Sequence, residues 1–341
     1  MPLLEKFRPS LASTGGSVTA DALDGRPQQS TAKRATAFVL RYAIVWVLIA
    51  LAIVSNIFYP GFFEIGNLRN ILSQNAPVGL VAIGMTFVMI AGGFDLSVSA
   101  VFALGAVLFA SFSGHMPIMA AFALVLVVGL AAGAINGAII TRMNVNPFVA
   151  TLGSASVFSG LAYLYSRSTP VVPEKASFLK LGTDSFLGVP ISILIFFGVF
   201  AIGAVVLAKS VYGRSVYAVG GNAEAARLAG IRVDFIKFST YMLTGVCAAL
   251  AGMIIASRTG VGQADVGASI TLDSIAMVII GGTSLLGGEG AMWRTLVGIL
   301  ILATINNLFD ALALDTAAQQ LVKGVIVIGA VALEAFTRRR H

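Results

Sequence analysis

Gly213–Ile231, G-R-S-V-Y-A-V-G-G-N-A-E-A-A-R-L-A-G-I, is a polar, basic island between two long apolar stretches. Its charges and amides would go unpaired in hydrocarbon, so it must lie on one side of a membrane. Residues Ala223–Leu228 favour helix. Asn222 can accept a hydrogen bond from an amide left unpaired at the helix start, and Gly230 can end the helix in a left-handed turn. A short helix is therefore expected within a cytoplasmic loop, 209–237. Ala225 and Ala226 are small enough to let it seat in a cleft on a partner. The basic neighbours Arg214, Arg227, Arg232 and Lys237 equally suit a structured loop beside anionic lipid headgroups.

The flanking chain supports this reading. Of 341 residues, 57% are hydrophobic and 11% charged, against about 25% charged in a soluble domain. Mean hydropathy is +0.93, as expected of an integral membrane protein. The net charge of +7 gathers at the ends of apolar segments and reads as orientation in a membrane, not as nucleic-acid binding. One cysteine, Cys247, excludes an intrachain disulfide. His115 and His341 are far apart, so no metal-ligand spacing exists. No G-x-x-x-x-G-K-[ST] run occurs, so the chain does not itself hold ATP in a P-loop. Neither a cofactor nor catalysis is expected of it.

Residues 1–35 are polar with no apolar core, which predicts a disordered tail and not a signal peptide. From there to residue 337 a single all-α polytopic membrane domain is expected, ending in a short basic tail, 338–341. About 20 apolar residues cross a bilayer as helix. This gives ten candidate spans: Thr36–Tyr59, Pro77–Ala91, Leu96–Phe112, Pro117–Ile140, Phe148–Tyr165, Pro190–Ala208, Phe238–Ala256, Leu272–Leu286, Met292–Leu312 and Ala317–Phe336. The second, third and eighth are short, as in broken or re-entrant helices. With both termini cytoplasmic, five of the 22 Lys and Arg residues lie outside (Arg69, Arg167, Lys175, Lys180, Arg258). Arg41 and Lys323 fall within spans and the other fifteen lie inside. This asymmetry obeys the positive-inside rule.

Gly129, Gly133 and Gly137 form one small-residue face, and Ala248, Gly252 and Ala256 another. Both suit close helix packing within the bundle, or in lesser part a homodimer. Two internal echoes are visible: Val88–Gly93 with Met277–Gly282, and Ile135-Asn136 with Ile305-Asn306. They do not fix whether a repeat is parallel or inverted.

Here the chain resembles a known family, the permease subunits of bacterial ABC importers for ribose, xylose and related sugars. The resemblance rests on E-A-A-x-x-x-G at Glu224–Gly230, G-G-F-D-L-S-V-S-A at Gly92–Ala100, P-F-V-A-T-L-G at Pro147–Gly153 and G-G-T-S-L-L-G-G-E-G at Gly281–Gly290. It runs from about Asn67 to Arg338, with Phe94 and Ser99 departing from the usual Ile and Gly. It implies a membrane subunit that translocates a monosaccharide across the bacterial inner membrane. A periplasmic sugar-binding protein delivers cargo, and cytoplasmic ABC ATPase subunits bind ATP. The permease pairs with a second, identical or different, copy. It also implies that Gly221, Asn222, Glu224, Ala225, Ala226 and Gly230 form the ATPase-coupling element. The path should bind sugar weakly, because tight binding would slow release.

Asp95 is the conspicuous intramembrane charge. It follows Gly92-Gly93 and precedes an apolar run, so it reads first as a cap and dipole partner of the third span and second as a sugar contact. Ser97, Asn136, Asn146, Thr151 and Asn306 are further polar groups near span ends, expected in helix–helix hydrogen bonds more than in the path. An ion-coupled secondary transporter would need an ion site, and only Asp95, Glu334 and Asp273 lie in or at spans. A membrane enzyme finds no credible constellation. The same architecture carrying an amino acid or a signalling sugar stays open.

Overall fold

The computed structural model describes residues 42–173 and 175–338. The tail expected over 1–35, the first residues of the first expected span, and all of the basic tail but Arg338 lie outside the described residues. The chain divides between Ala43 and Ile44, and the larger part, from Ile44 onward, carries the bundle.

That part is helical, with one minimal hairpin. Its first helices are α1 (Ala43–Phe58), α2 (Ile65–Ile90), α3 (Val98–His115), α4 (Ile118–Arg142) and α5 (Pro147–Ser166). A short α6 (Lys180–Thr183) and the two-residue strands β1 (Ser185–Phe186) and β2 (Val189–Pro190) lead into α7 (Ile191–Lys209). Two amphipathic pieces come next, α8 (Val211–Gly221) and α9 (Ala223–Leu228). The chain closes with α10 (Val233–Thr259), α11 (Ile270–Ile280), α12 (Met292–Ala311) and α13 (Thr316–Arg338). Among the described residues, α2, α3, α4, α5, α7, α10 and α12 are long and apolar enough to cross a bilayer, whereas α1 and α11 are apolar but shorter.

Two expected spans are corrected. The second is no short segment, for α2 runs 26 residues from Ile65. Its polar first half hid it, since those groups are satisfied by residues far away in sequence. Asn67 and Asn307 exchange amide hydrogen bonds at 3.2 and 2.9 Å. Pro77 sits inside α2 and cannot donate to Ser73 O, four residues back. Arg258 Nη1 takes that place, donating to Ser73 O at 3.1 Å. The eighth expected span ends early, because α11 stops at Ile280 and Gly282 turns the chain with φ +76°.

The centre is the crossing of α2 and α10. Gly93 meets the Tyr241 ring, Gly84 lies on Thr244, and Ser73 is bonded to Arg258. The two helices therefore run antiparallel. The glycine face of α4 packs on α10, where a Cβ on Gly133 would strike Tyr241 O. Gly252 of α10 presses on Phe102 O of α3 in the same manner. Both small-residue faces serve contacts within the chain, where close backbone approach replaces side-chain interdigitation.

A shift of 170 residues maps α2 onto α10, α3 onto α11, α4 onto α12 and α5 onto α13, to within a few residues at most ends. It also maps Gly92–Ala100 onto Gly262–Ile270, G-Q-A-D-V-G-A-S-I, with Asp95 on Asp265 and Ser99 on Ser269. Because the equivalent helices α2 and α10 run antiparallel, the repeat is inverted. The Ile135-Asn136 echo belongs to it. The Val88–Gly93 echo, at a different shift, does not.

Candidate functional site

Ser210 starts α8 by accepting from Gly213 N at 2.9 Å, and Asn222 starts α9 by accepting from Ala225 N at 3.0 Å. The end of α9 closes on itself: Gly230 has φ +82°, and Ile231 N donates to Ala226 O at 3.0 Å. Glu224, Ala225, Arg227 and Leu228 are exposed, Leu228 at 83%. Arg227 pairs at the surface with Glu224 (3.5 Å) and Asp234 (3.4 Å). Ala226 departs from expectation, since it is 4% exposed and packed into the core of its own chain. It anchors α9 to the bundle, and its neighbour Ala225 presents the small surface outward.

α8 joins this element to the bundle through backbone. A Cβ on Gly220 would strike Ile90 O and come within 2.6 Å of Gly288 N. Gly288 N donates to Ile90 O at 2.9 Å, and Tyr217 Oη donates to Gly290 O at 2.9 Å. A Cβ on Gly287 would come within 2.8 Å of Gly92 Cα. Three separate glycine-bearing stretches, at 90–93, 220–221 and 287–290, thus meet in one hub. Gly221, expected in the coupling element, lies at its edge: its backbone faces Gly288, but the place its side chain would take is open. Sequence reasoning missed Tyr217, Gly220, Gly287 and Gly288; the signal was the recurrence of glycine pairs in the quoted motifs.

From the hub, the segment 91–97 leads to a buried polar cluster. Asp95 and Ser97 are 1% and 0% exposed, and Asn136 and Thr151 are fully buried. Asp95 Oδ1 accepts from Ser97 N at 2.9 Å and from Ser97 Oγ at 2.6 Å. Asn136 Nδ2 of α4 donates to Ser97 Oγ at 2.7 Å, and Leu96 N donates to Thr151 Oγ1 of α5 at 3.0 Å. The break between α2 and α3 is thereby stapled to α4 and α5. The Asp95 carboxylate takes up an amide at the α3 start, and no member of the cluster faces open space. The two other expected polar residues lie apart from it. Asn146 caps α5 by accepting from Phe148 N at 2.9 Å. Asn306 sits on α12, donating to Asn75 Oδ1 at 3.2 Å, because the inverted repeat places it in the other half. No cluster of His, Cys, Asp or Glu able to hold a metal occurs among the described residues.

A bundle of several long apolar helices with an exposed, polar α8–α9 element between two of them is the architecture of a polytopic membrane protein. Residues 67–331 match the model of the branched-chain amino acid transport system / permease component family, and the chain belongs to it. It is 41% identical over 295 residues to the ribose import permease protein RbsC of Bacillus subtilis, covering 84% of this chain and 90% of that one. RbsC of Haemophilus influenzae is 37% identical over 294 residues, 85% of this chain and 91% of the relative. The L-arabinose transport system permease protein AraH of Escherichia coli is 34% identical over 307 residues, 88% and 92% of the two. No solved structure matches the chain. The protein is a transporter and not an enzyme.

Proposed function

We propose that the chain is the permease subunit of an ATP-binding cassette importer for a monosaccharide in the bacterial inner membrane. Ten spans carry both termini in the cytoplasm, α1, α11 and α13 completing the seven long apolar helices. A periplasmic binding protein delivers the sugar, separate ATPase subunits bind ATP, and a second permease completes the path. The carrying observation is the α8–α9 element. Its outer face offers Glu224, Ala225, Arg227 and Leu228 to a partner, while its inner face is locked through Gly220 to the end of α2 and the 281–290 loop. ATPase movement at α9 therefore reaches the 91–97 break as displacement of backbone, with no soft side chain between to absorb it. Asp95, Ser97, Asn136 and Thr151 pass that displacement to α4 and α5. A bistable bundle biased from both faces alternates access in this way.

Sugar as cargo is supported by relatives named for ribose and L-arabinose. The assay is uptake of labelled pentose, with leucine as the alternative cargo, by the permease co-expressed with its ATPase and binding protein. Ala225→Glu should leave the permease at normal level in the membrane while lowering ATPase co-purification and uptake. Undiminished ATPase recovery in that variant refutes docking at α9. Uptake of leucine in place of pentose refutes the cargo.

A further inference from the structure

A groove of about 420 Å³ opens between α3, α5 and the 264–268 loop, within the roughly 300–1,000 Å³ that small-molecule pockets span. Ser99, Ser156, Ser159, Tyr163 and Asp265 supply its polar lining. α5 presents two different faces. Ser156, Ser159 and Tyr163 succeed one another at helical spacing along the groove. Val157, Leu161 and Leu164 keep the same spacing beside them and are exposed, at 60%, 47% and 78%. The aliphatic face suits lipid. Polar groups of a spanning helix face a bundle interior or a watered cavity, and here the hydroxyl face borders the open groove.

The inverted repeat supplies an internal control. The shift of 170 carries Ser156 to Ile326 and Ser159 to Gly329, so these two α5 hydroxyls have no counterpart on α13, whereas Ser99 keeps one in Ser269. It carries Asp95 to Asp265 and Ser97 to Gly267. Asp95 is held inward by the amide and hydroxyl of Ser97. Gly267 has no hydroxyl to offer, and Asn306, the counterpart of Asn136, is bonded to Asn75. Asp265 accordingly stays exposed and lines the groove.

We infer that this groove is a weak monosaccharide waypoint, in which Ser156, Ser159 and Asp265 exchange hydrogen bonds with sugar hydroxyls while the Tyr163 ring packs against the apolar face of the sugar ring. Serine hydroxyls both donate and accept, and a carboxylate accepts, which matches a polyol. The groove is open and its contacts are few, so sugar leaves as readily as it enters. This inference rests on the importer reading above.

The test uses the whole transporter in proteoliposomes with its ATPase and binding protein. Ser156→Leu combined with Ser159→Leu should cut pentose uptake about tenfold or more, the equivalent of losing one or two hydrogen bonds. Asp265→Asn should cut it less, since the amide still accepts. ATPase recovery and binding-protein-stimulated ATP hydrolysis should match the unaltered complex in both. Separately, Ser156→Cys in a Cys247→Ala background should react with a small maleimide. Millimolar pentose should slow that reaction, and millimolar leucine should not. Uptake within twofold of the unaltered complex in the double variant, or labelling indifferent to pentose, overturns the waypoint. A groove closed to maleimide with or without sugar makes it a contact with the second permease and overturns it equally. Failure of the unaltered complex to import pentose or hold its ATPase sinks the importer reading and the waypoint together, whereas normal import with insensitive variants sinks the waypoint alone.

Discussion

Gly220→Ala and Gly221→Ala are one chemical change at adjacent positions, and the geometry assigns them opposite outcomes. At Gly220 the new methyl meets Ile90 O and lies 2.6 Å from Gly288 N, both of them backbone. No flexible side chain can move aside, so α8 must lift from the bundle. Overpacking of this kind costs about 1–3 kcal/mol. Losing the 2.9 Å bond from Gly288 N to Ile90 O adds about 1 kcal/mol. Together they come to roughly 2–4 kcal/mol, a factor of about 30 to 1,000 in the docking equilibrium of α8. At Gly221 nothing lies within 4 Å of the new methyl, and alanine favours helix over glycine by up to about 1 kcal/mol. The direct assay is hydrogen exchange at the amides of 216–221 in the assembled transporter, with pentose uptake measured alongside. Gly220→Ala should speed exchange by that factor and uncouple ATP hydrolysis from uptake, at near-normal abundance, because the hub lies to one side of the α2–α10 core. Gly221→Ala should leave uptake unchanged and exchange no faster than in the unaltered complex. Equal exchange and equal uptake in the two variants would refute the backbone-on-backbone hub.

Asp95→Asn should keep the permease in the membrane at near-normal level, since the amide oxygen still accepts from Ser97 N; Asp95→Leu leaves buried donors unpaired at about 1–3 kcal/mol each and should lower abundance on a detergent gel-filtration profile. Gly133→Val should do the same by forcing α4 away from Tyr241 O, with aggregation as the readout. Arg258→Met should orphan Ser73 O and lower the unfolding midpoint. Pro77→Ala restores an amide four residues along and should recover most of the loss in the double variant, which a purely electrostatic role for Arg258 would not allow.

Local chemistry made the α9 element legible. Asn222, a run of good helix formers and Gly230 act within a few residues of one another, and each takes the expected backbone geometry. Distant pairing made the first half of α2 illegible. Asn67, Asn75 and Arg69 read as a break in hydropathy, whereas the bundle supplies Asn307 and Asn306 from more than 200 residues away. Ala226 was misplaced for a similar reason: its neighbours favour helix whichever face turns inward, and only packing against the bundle decides that the face is Ala226 and not Ala225. The inverted repeat escaped because its halves conserve helix lengths and a few turn residues more than side chains, and the louder glycine echo lies at the wrong shift.

On the importer reading proposed above, the repeat gives coupling a single point of entry. Both halves carry a break after their long first helix, at 91–97 and at 260–269. The first touches α8 through Gly92, and its Leu96 amide rests on Thr151 of α5. The second lies at the other end of the antiparallel α2–α10 pair, where Gly262 bridges to Val171 and Ser257 holds the chain before α6 through Phe178 O at 2.6 Å. A displacement at α9 therefore meets the first break directly and can reach the second along α3, whose Phe102 packs at Gly267, or along α10. The two breaks are alike in origin and unlike in neighbours. On the importer reading, the first is placed to receive force from α9, and the second, with Asp265 on the groove, to meet the cargo.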